Sequence, residues 1–305
     1  SFDLFSVYIP HRHHEGFGFN VAAAKQLSQD GAKLIITVDC GTSDAAAVAA
    51  AMQAGTDVIV TDHHQVTGEL PNAVAIVNPA VDTRYPFPHL CGAGVVFKLV
   101  QALLARGEYA VVPGREKWWL DMVGLATVAD MVPLTGENRI LSHYGLHVLR
   151  KSRRPGLRTL LKAQRASQAH LSEDDIGFTI GPRINAASRM GEPLRAFQLL
   201  TATTETEAAD HLAHLEQLNN ERKGAVAAMT RAAHKKLAHQ TSIPPVIVIG
   251  DPEWKPSLVG LVATKLSEEH AVPAFVWGRD GTGVIKGSCR SNGTHSVIAL
   301  MEAAR

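Results

Sequence analysis

The sequence predicts an α/β protein: a parallel-sheet domain joined by a long helix to a smaller α/β domain. Three observations carry this. Residues 33–64 read as one strand–helix–strand unit with apolar, β-branched strands, the pattern of a right-handed parallel crossover. Residues 204–239 hold a continuous helical pattern. From Val246 onward strands and helices alternate again. With 305 residues, 46% of them hydrophobic, the chain is long enough for two domains. The expected division is 1–200 for the first, 201–241 for the connecting helix and 242–305 for the second.

In order, Val7 to Pro10 is expected to be a short strand, followed by the loop His11-Arg-His-His-Glu-Gly-Phe-Gly18. Arg12 in that loop is either a phosphate contact or a solvated arginine. His11, His13 and His14 resemble a metal cluster, but their spacing fits no single ligand face. Asn20 suits an N-cap. Strand 33–38 ends in Asp39-Cys-Gly41, and Ser43 or Asp44 can cap the helix that runs to about Ala54, with Gly55 ending it. The next strand, Asp57-Val-Ile-Val-Thr61, ends at Asp62-His63-His64.

Two strand ends therefore present Asp39 and Asp62-His63-His64 to one edge. In open α/β sheets that edge is where ligands bind. The competing reading is a surface loop that happens to hold an acid and two imidazoles.

A further strand, Val74 to Val77, precedes Asn78-Pro79. The glycines of Cys91-Gly-Ala-Gly94 admit either a close ligand or close helix packing, and packing is favoured. Asp130 is a lone acid in the apolar run Val128-Ala-Asp-Met-Val-Pro-Leu134, so it needs a cation or donors. Arg150 to Arg158 holds five basic residues in nine, a run of the kind that is usually solvated. Gly181-Pro-Arg-Ile-Asn-Ala-Ala-Ser-Arg-Met-Gly191 places Arg183, Asn185 and Arg189 among small residues, a composition suited to phosphate. Thr204-Glu-Thr-Glu207 is a capping box.

The formal net charge of +1 rules out a global field that would pull the chain onto nucleic acid or membrane. Three scattered cysteines argue against a disulfide framework and for a reducing compartment, the cytoplasm. No apolar run reaches membrane-spanning length. The chain opens on Ser1 without Met and ends at Arg305 inside a helical pattern, which reads as part of a longer protein.

The motifs Tyr8-Ile-Pro-His-Arg12, Glu15-Gly-Phe-Gly18, Val38-Asp-Cys-Gly41, Val60-Thr-Asp-His-His64, Val77-Asn-Pro79 with Gly92-Ala-Gly94, Ala129-Asp-Met-Val-Pro-Leu134, Gly181-Pro-Arg-Ile-Asn-Ala-Ala187 with Arg189, and Lys286-Gly-Ser with Arg290-Ser291 occur in one order along nearly the whole chain. In this the chain resembles the DHH phosphoesterase superfamily and, within it, the RecJ single-strand-specific exonucleases. The resemblance implies a DHH domain and a smaller DHH-associated domain. It also implies a 5′-to-3′ exonuclease that hydrolyses single-stranded DNA with two manganese ions, magnesium being possible, in repair and recombination. Asp39 would bridge the metals, with His63 and Asp130 as ligands and Asp62 as a marginal ligand or a support for an imidazole. His64 would face the substrate phosphate. Arg183, Arg189, Ser288, Arg290 and Ser291 fall in segments that resemble the binding site for the strand's 5′ end. A single-strand-binding protein and a helicase are the implied protein partners of a monomer.

The chemistry agrees. Displacement at phosphorus adds charge to oxygens that paired cations can stabilise, and carboxylate with imidazole suits manganese.

Some residues depart from the pattern. The family's first Asp-x-Asp motif would lie upstream of residue 1, and Asp3 is no convincing substitute, so the 305-residue chain is expected to hydrolyse DNA weakly or not at all. Ser188 replaces a usual Gly, and Trp254-Lys-Pro-Ser257 lacks the usual His and Gly. Two other functions stay open: a DHH phosphodiesterase acting on short oligonucleotides or cyclic dinucleotides, and a catalytically lapsed DHH scaffold.

Overall fold

β-Branched residues build a three-stranded parallel sheet, ordered β1 (Leu34–Val38), β2 (Asp57–Thr61), β3 (Ala75–Val77). The computed structural model describes residues 4–12, 14–107, 109, 111–240, 242–293 and 295–304; Asp3, His13 and Arg305 lie outside the described residues. The expected crossover is present: α2 (Ala45–Gln53) connects β1 to β2. Val58 and Val60 are fully buried with Ile35, Ala47, Val48 and Ala51. Beside α2 packs α1 (Val21–Gln29), whose N-cap Asn20 accepts from the Ala23 N–H at 2.8 Å.

Register is what prepares the site. Val38 is level with Thr61, and Thr61 with Val77, so three strands stop together. Asp39, Asp62 and Asn78 follow at one edge.

The described chain divides into two compact units. One joins Glu15–Ile184 to Phe197–Leu212; the other joins Asn185–Ala196 to Ala213 onward and includes the 11–14 loop. The helices after β3 are α3 (Gly92–Ala105), α4 (Leu120–Ala129), α5 (Gly136–Leu149), α6 (Pro155–Ala163), α7 (Gly181–Met190), α8 (Pro193–Thr201) and α9 (Glu205–Leu237). α4 and α5 touch backbone to backbone: a β-carbon on Gly145 would lie 2.5 Å from the Gly124 Cα. The 33 residues of α9 span about 50 Å, and Leu212, Leu215 and Leu218 on its apolar face are buried.

In the second unit β4 (Ile247–Gly250) pairs in parallel with β5 (Ala274–Arg279), and β5 in antiparallel with β6 (Ile285–Arg290). α10 (Pro256–His270) lies between β4 and β5 in the chain, and α11 (Val297–Ala303) comes last. Leu258, Val262 and Leu266 of α10 pack with Ile247, Val276, Met229 and Leu237. Asp280 accepts from the Thr282 and Val284 N–H groups to close the β5–β6 turn.

Three local expectations are revised and a fourth is extended. Val7 to Pro10 forms no strand, because a strand needs a ladder partner and no described strand pairs with it. Asp44 stands at the N-cap of α2, but its side chain makes no capping bond; its carboxylate instead accepts from the Phe19 N–H at 2.8 Å and anchors the preceding loop. The capping box of α9 forms and is extended by one residue: Thr204 Oγ1 accepts from the Glu207 N–H, and the Glu207 carboxylate accepts from the backbone N–H of Thr204 and from the N–H and hydroxyl of Thr203. The basic run 150–158 is not simply solvated. Arg150 donates to the Leu171 carbonyl, and Arg154 Nε meets the buried Asp121 at 2.8 Å, beside the Ser152 hydroxyl.

Candidate metal centre and arginine cluster

At the tip of β1 the chain turns sharply. Asp39 adopts φ 65°, in the left-handed region, while its N–H still donates to the Thr61 carbonyl at 2.9 Å. That turn releases the carboxylate from the ladder. Gly92, first residue of α3, has no β-carbon and leaves room for it. Asp130 ends α4 and is followed by Met131 at φ 59°, a second strained turn beside a site acid.

The strand-end residues do not share one role. The Asp62 side chain is only 2% exposed. Its Oδ1 accepts from the His63 N–H at 2.7 Å, the His64 N–H at 3.2 Å and the His64 Nδ1 at 2.7 Å; its Oδ2 accepts from the Thr42 N–H at 3.0 Å. Burial opposes its ionisation, but donors from His64 and Thr42 outweigh burial and hold the carboxyl at about 2. Asp62 thus spends its oxygens on the loop. The imidazole it orients is His64, not His63.

His63 is half-surrounded by acids. Its Nε2 lies 3.0 Å from Asp39 Oδ1 and 3.4 Å from Asp130 Oδ2, yet it is buried and makes no aligned hydrogen bond. The Asp39 carboxylate raises the imidazole above its usual range, burial opposes this, and Asp130 adds to the rise. Asp130 is itself raised, first by burial and also by Asp39. Donor atoms of Asp39, His63 and His64 lie within 4.8 Å of one another.

This arrangement fits a divalent cation. Two carboxylates and a misaligned buried ring nitrogen converge where a cation would relieve both the repulsion and the unmet nitrogen. Cys40 is no competing thiolate, since burial and then Asp44, Asp62 and Asp39 push it up to about 12.

Sequence reasoning passed over Thr42, gave Asn78 no role, and favoured packing over a site role for Gly92. The Asn78 side-chain amide donates to Thr42 Oγ1 at 2.9 Å and to the His64 carbonyl at 3.0 Å, and its Oδ1 accepts from the Ala80 N–H. Thr42, Asn78 and Gly92 fix the loop and the acid; the signal for Asn78 was its place one residue beyond the β3 end.

The second unit gathers arginines. Burial brings the Arg12 guanidinium down to about 10, and Arg189 adds to this. Arg189 is lowered by burial, then by Arg222 and Arg290. Arg189 is tied to the start of α10: its Nη1 donates to the Ser257 carbonyl at 2.9 Å, and the Ser257 hydroxyl donates to the Arg189 carbonyl at 2.8 Å. Arg290 Nη1 reaches Ser288 Oγ at 3.2 Å. Gly260 permits the approach of β6, since a β-carbon there would lie 2.9 Å from Ser288 Oγ. Partly buried like charges beside a helix N-terminus make a setting that favours an anion. Arg222, which donates to Asn219 Oδ1 at 3.0 Å, was not singled out from the sequence.

The remaining residues stand elsewhere. Arg183 belongs to the first unit, where it donates to the Thr179 carbonyl at 2.7 Å and to Gln164. Asn185 is exposed on α7, and the Ser291 hydroxyl donates to the His295 carbonyl. His11 and His14 stack with ring centroids 4.4 Å apart.

A parallel sheet whose tips carry Asp39 and Asp62-His63-His64 is the mark of a DHH domain, and the DHH family, N-terminal domain, matches residues 2–127. The single-stranded-DNA-specific exonuclease RecJ of Bacillus subtilis is 40% identical over 93% of this chain and 35% of its own length. That of Salmonella typhimurium is 36% identical over 98% of this chain and 54% of its own. A crystal structure of exonuclease RecJ bound to manganese matches with TM-score 0.78 and 32% identity, covering 97% of this chain and 72% of that one. RecJ from Thermus thermophilus in complex with Mn2+ gives TM-score 0.79 and 33% identity over 92% and 41% of the two chains. The chain belongs to the DHH family, on its RecJ branch. It spans about half, or less, of the length of these curated relatives.

Proposed function

We propose that the protein is a single-stranded-DNA-specific 5′-to-3′ exonuclease that hydrolyses phosphodiesters with manganese, magnesium being an alternative, in DNA repair and recombination. The observation that carries this is the convergence of Asp39 and Asp130 on the buried His63 Nε2. Asp39, His63 and Asp130 would hold the cation, with His64 within reach of the same centre or of the substrate phosphate. Asp62 serves as the support that fixes His64. When bound, the metal supplies Lewis acidity for attack at phosphorus. The protein's own contribution is to aim two acids from the ends of β1 and α4, and the imidazole that completes them from the end of β2.

Under this reading Arg12, Arg189, Arg222 and Arg290, with Ser288 and Ser291, receive the phosphate at the strand's 5′ end. Arg183 and Asn185 on α7 contribute backbone contacts. The domains are then 1–200 as the DHH domain, 201–241 as the connecting helix and 242–305 as the DHH-associated domain. The described donors suit one cation more fully than two, so the 305-residue chain is expected to hydrolyse weakly. As partners we propose single-stranded DNA, a single-strand-binding protein and a helicase, for a monomer in the cytoplasm, where three free cysteines are in keeping. No described helix is long and apolar enough to cross a membrane.

The test is Asp39→Ala in the intact gene product. Manganese-dependent release of nucleotides from a 5′-phosphorylated single strand should fall at least a thousandfold while the far-UV spectrum is unchanged. Activity retained within tenfold would sink the assignment.

A further inference from the structure

We propose that His234, Glu269 and His270 form a binding site for one zinc-class divalent cation in the second unit. His234 comes from the last turn of α9, and Glu269 and His270 from the last turn of α10. One donor atom of each lies within 4.8 Å of the others. His234 Nε2 is 2.9 Å from Glu269 Oε2, and the two imidazoles meet edge-on with centroids 6.2 Å apart.

An ordinary His–Glu ion pair accounts for the first distance but leaves the second histidine unexplained. His270 Nε2 is buried and has no hydrogen-bond partner. A buried polar atom without a partner is costly, so it points to a missing ligand. Two imidazoles and a carboxylate are a donor set that zinc takes, with a fourth position left open.

The surroundings favour a positive charge. α9 and α10 both end at this point, and helix carboxyl ends carry partial negative charge. The three residues line a pocket of about 370 Å³ with Gln240 and Ser242, which leaves space for water or a small ligand at the open position. Donors on a tetrahedral zinc stand roughly 3.3–3.5 Å apart, so loading draws the widest pair inward. The Glu269 side chain, 51% exposed, is free to swing that distance. A bound cation would clamp the end of α9 to the end of α10, and ligand binding to the folded state alone stabilises it.

The experiment uses the 305-residue chain carrying Asp39→Ala, which removes one donor of the other acid–imidazole cluster. It is titrated with Zn²⁺ by calorimetry and with Co²⁺ by visible absorption. The expected result is one equivalent of zinc, cobalt bands of four-coordinate intensity and a rise in Tm. His270→Gln and, separately, Glu269→Gln on that background should weaken zinc at least tenfold and remove the Tm rise, with the far-UV spectrum unchanged. Glu269→Gln, at a half-exposed position, keeps the test decisive if His270→Gln does not fold. The inference is overturned if the Asp39→Ala chain takes up no zinc, or if either variant that folds binds zinc as tightly as its parent.

Discussion

Gly92 and Asp39 are packed so closely that a β-carbon on the glycine would lie 2.4 Å from the Asp39 Oδ1 and 2.6 Å from its Cβ. Gly94, two residues on, would place its β-carbon at 3.5 Å from Leu90, an ordinary contact. Gly92 therefore serves the candidate metal centre, and Gly94 serves packing. Gly92→Ala should displace the Asp39 carboxylate and weaken manganese binding at least tenfold, read by electron paramagnetic resonance of the free ion. Gly94→Ala should leave that affinity within about twofold. Equal behaviour of the two would remove Gly92 from the site.

Asp62 is a stability determinant with a definite pH window. Its folded value of about 2 lies below the ordinary 3.8, so its contribution is complete above the unfolded value and fades as pH falls from about 4 toward 2. A shift of this size corresponds to about 2 kcal/mol. Urea melts of the wild type and Asp62→Asn should differ by that order at pH 6 and converge near pH 2. A gap that stays constant across this range would mean the Asp62 charge is not what matters.

The arginine cluster makes a prediction about discrimination rather than overall affinity. Arg290→Ala and Arg222→Gln should each reduce the preference for a 5′-phosphorylated over a 5′-hydroxyl single strand at least fivefold, measured by fluorescence anisotropy. Arg154→Gln breaks the Asp121 contact in the first unit and should leave that ratio unchanged. An equal loss on both strands would reassign the cluster to general backbone contact.

The α4–α5 contact admits no side chain. A β-carbon on Gly145 would lie 2.5 Å from the Gly124 Cα and 2.7 Å from the Leu120 carbonyl, both backbone atoms that cannot swing aside. Gly145→Ala should destabilise the chain by about 1–3 kcal/mol, whereas Gly224→Ala on α9, with open space around it, should be neutral or stabilising by up to about 1 kcal/mol. Thermal melts decide this; an unchanged Tm in Gly145→Ala would show that the two helices separate freely.

Much of the fold was legible because it rests on local rules. The β-branched runs, the alanines of α2 and the N-cap at Asn20 are read along the chain. The strand expected at Val7 to Pro10 failed because pairing is a property of two segments and the sequence displays one. The basic run 150–158 was misread for a related reason. Whether a charge is solvated depends on what approaches it, and Asp121 arrives from another helix.

The candidate site divides along the same line. By itself the sequence determined that Asp39 and Asp62-His63-His64 stand at strand ends, because strand length and turn residues set that locally, and that Asp130 needed a partner, because an unpaired acid among apolar residues is costly. Only the tertiary structure decided the roles. The level register of β1, β2 and β3 brings the tips together. Asp62, enclosed by N–H donors, becomes a support, while His63 turns its buried Nε2 to Asp39 and Asp130. Arg222 and the His234, Glu269 and His270 group were invisible until helices distant in sequence packed together. The physical reason is one of range: backbone preference acts over a few residues, whereas burial, charge repulsion and ligand geometry act between groups that only folding makes neighbours.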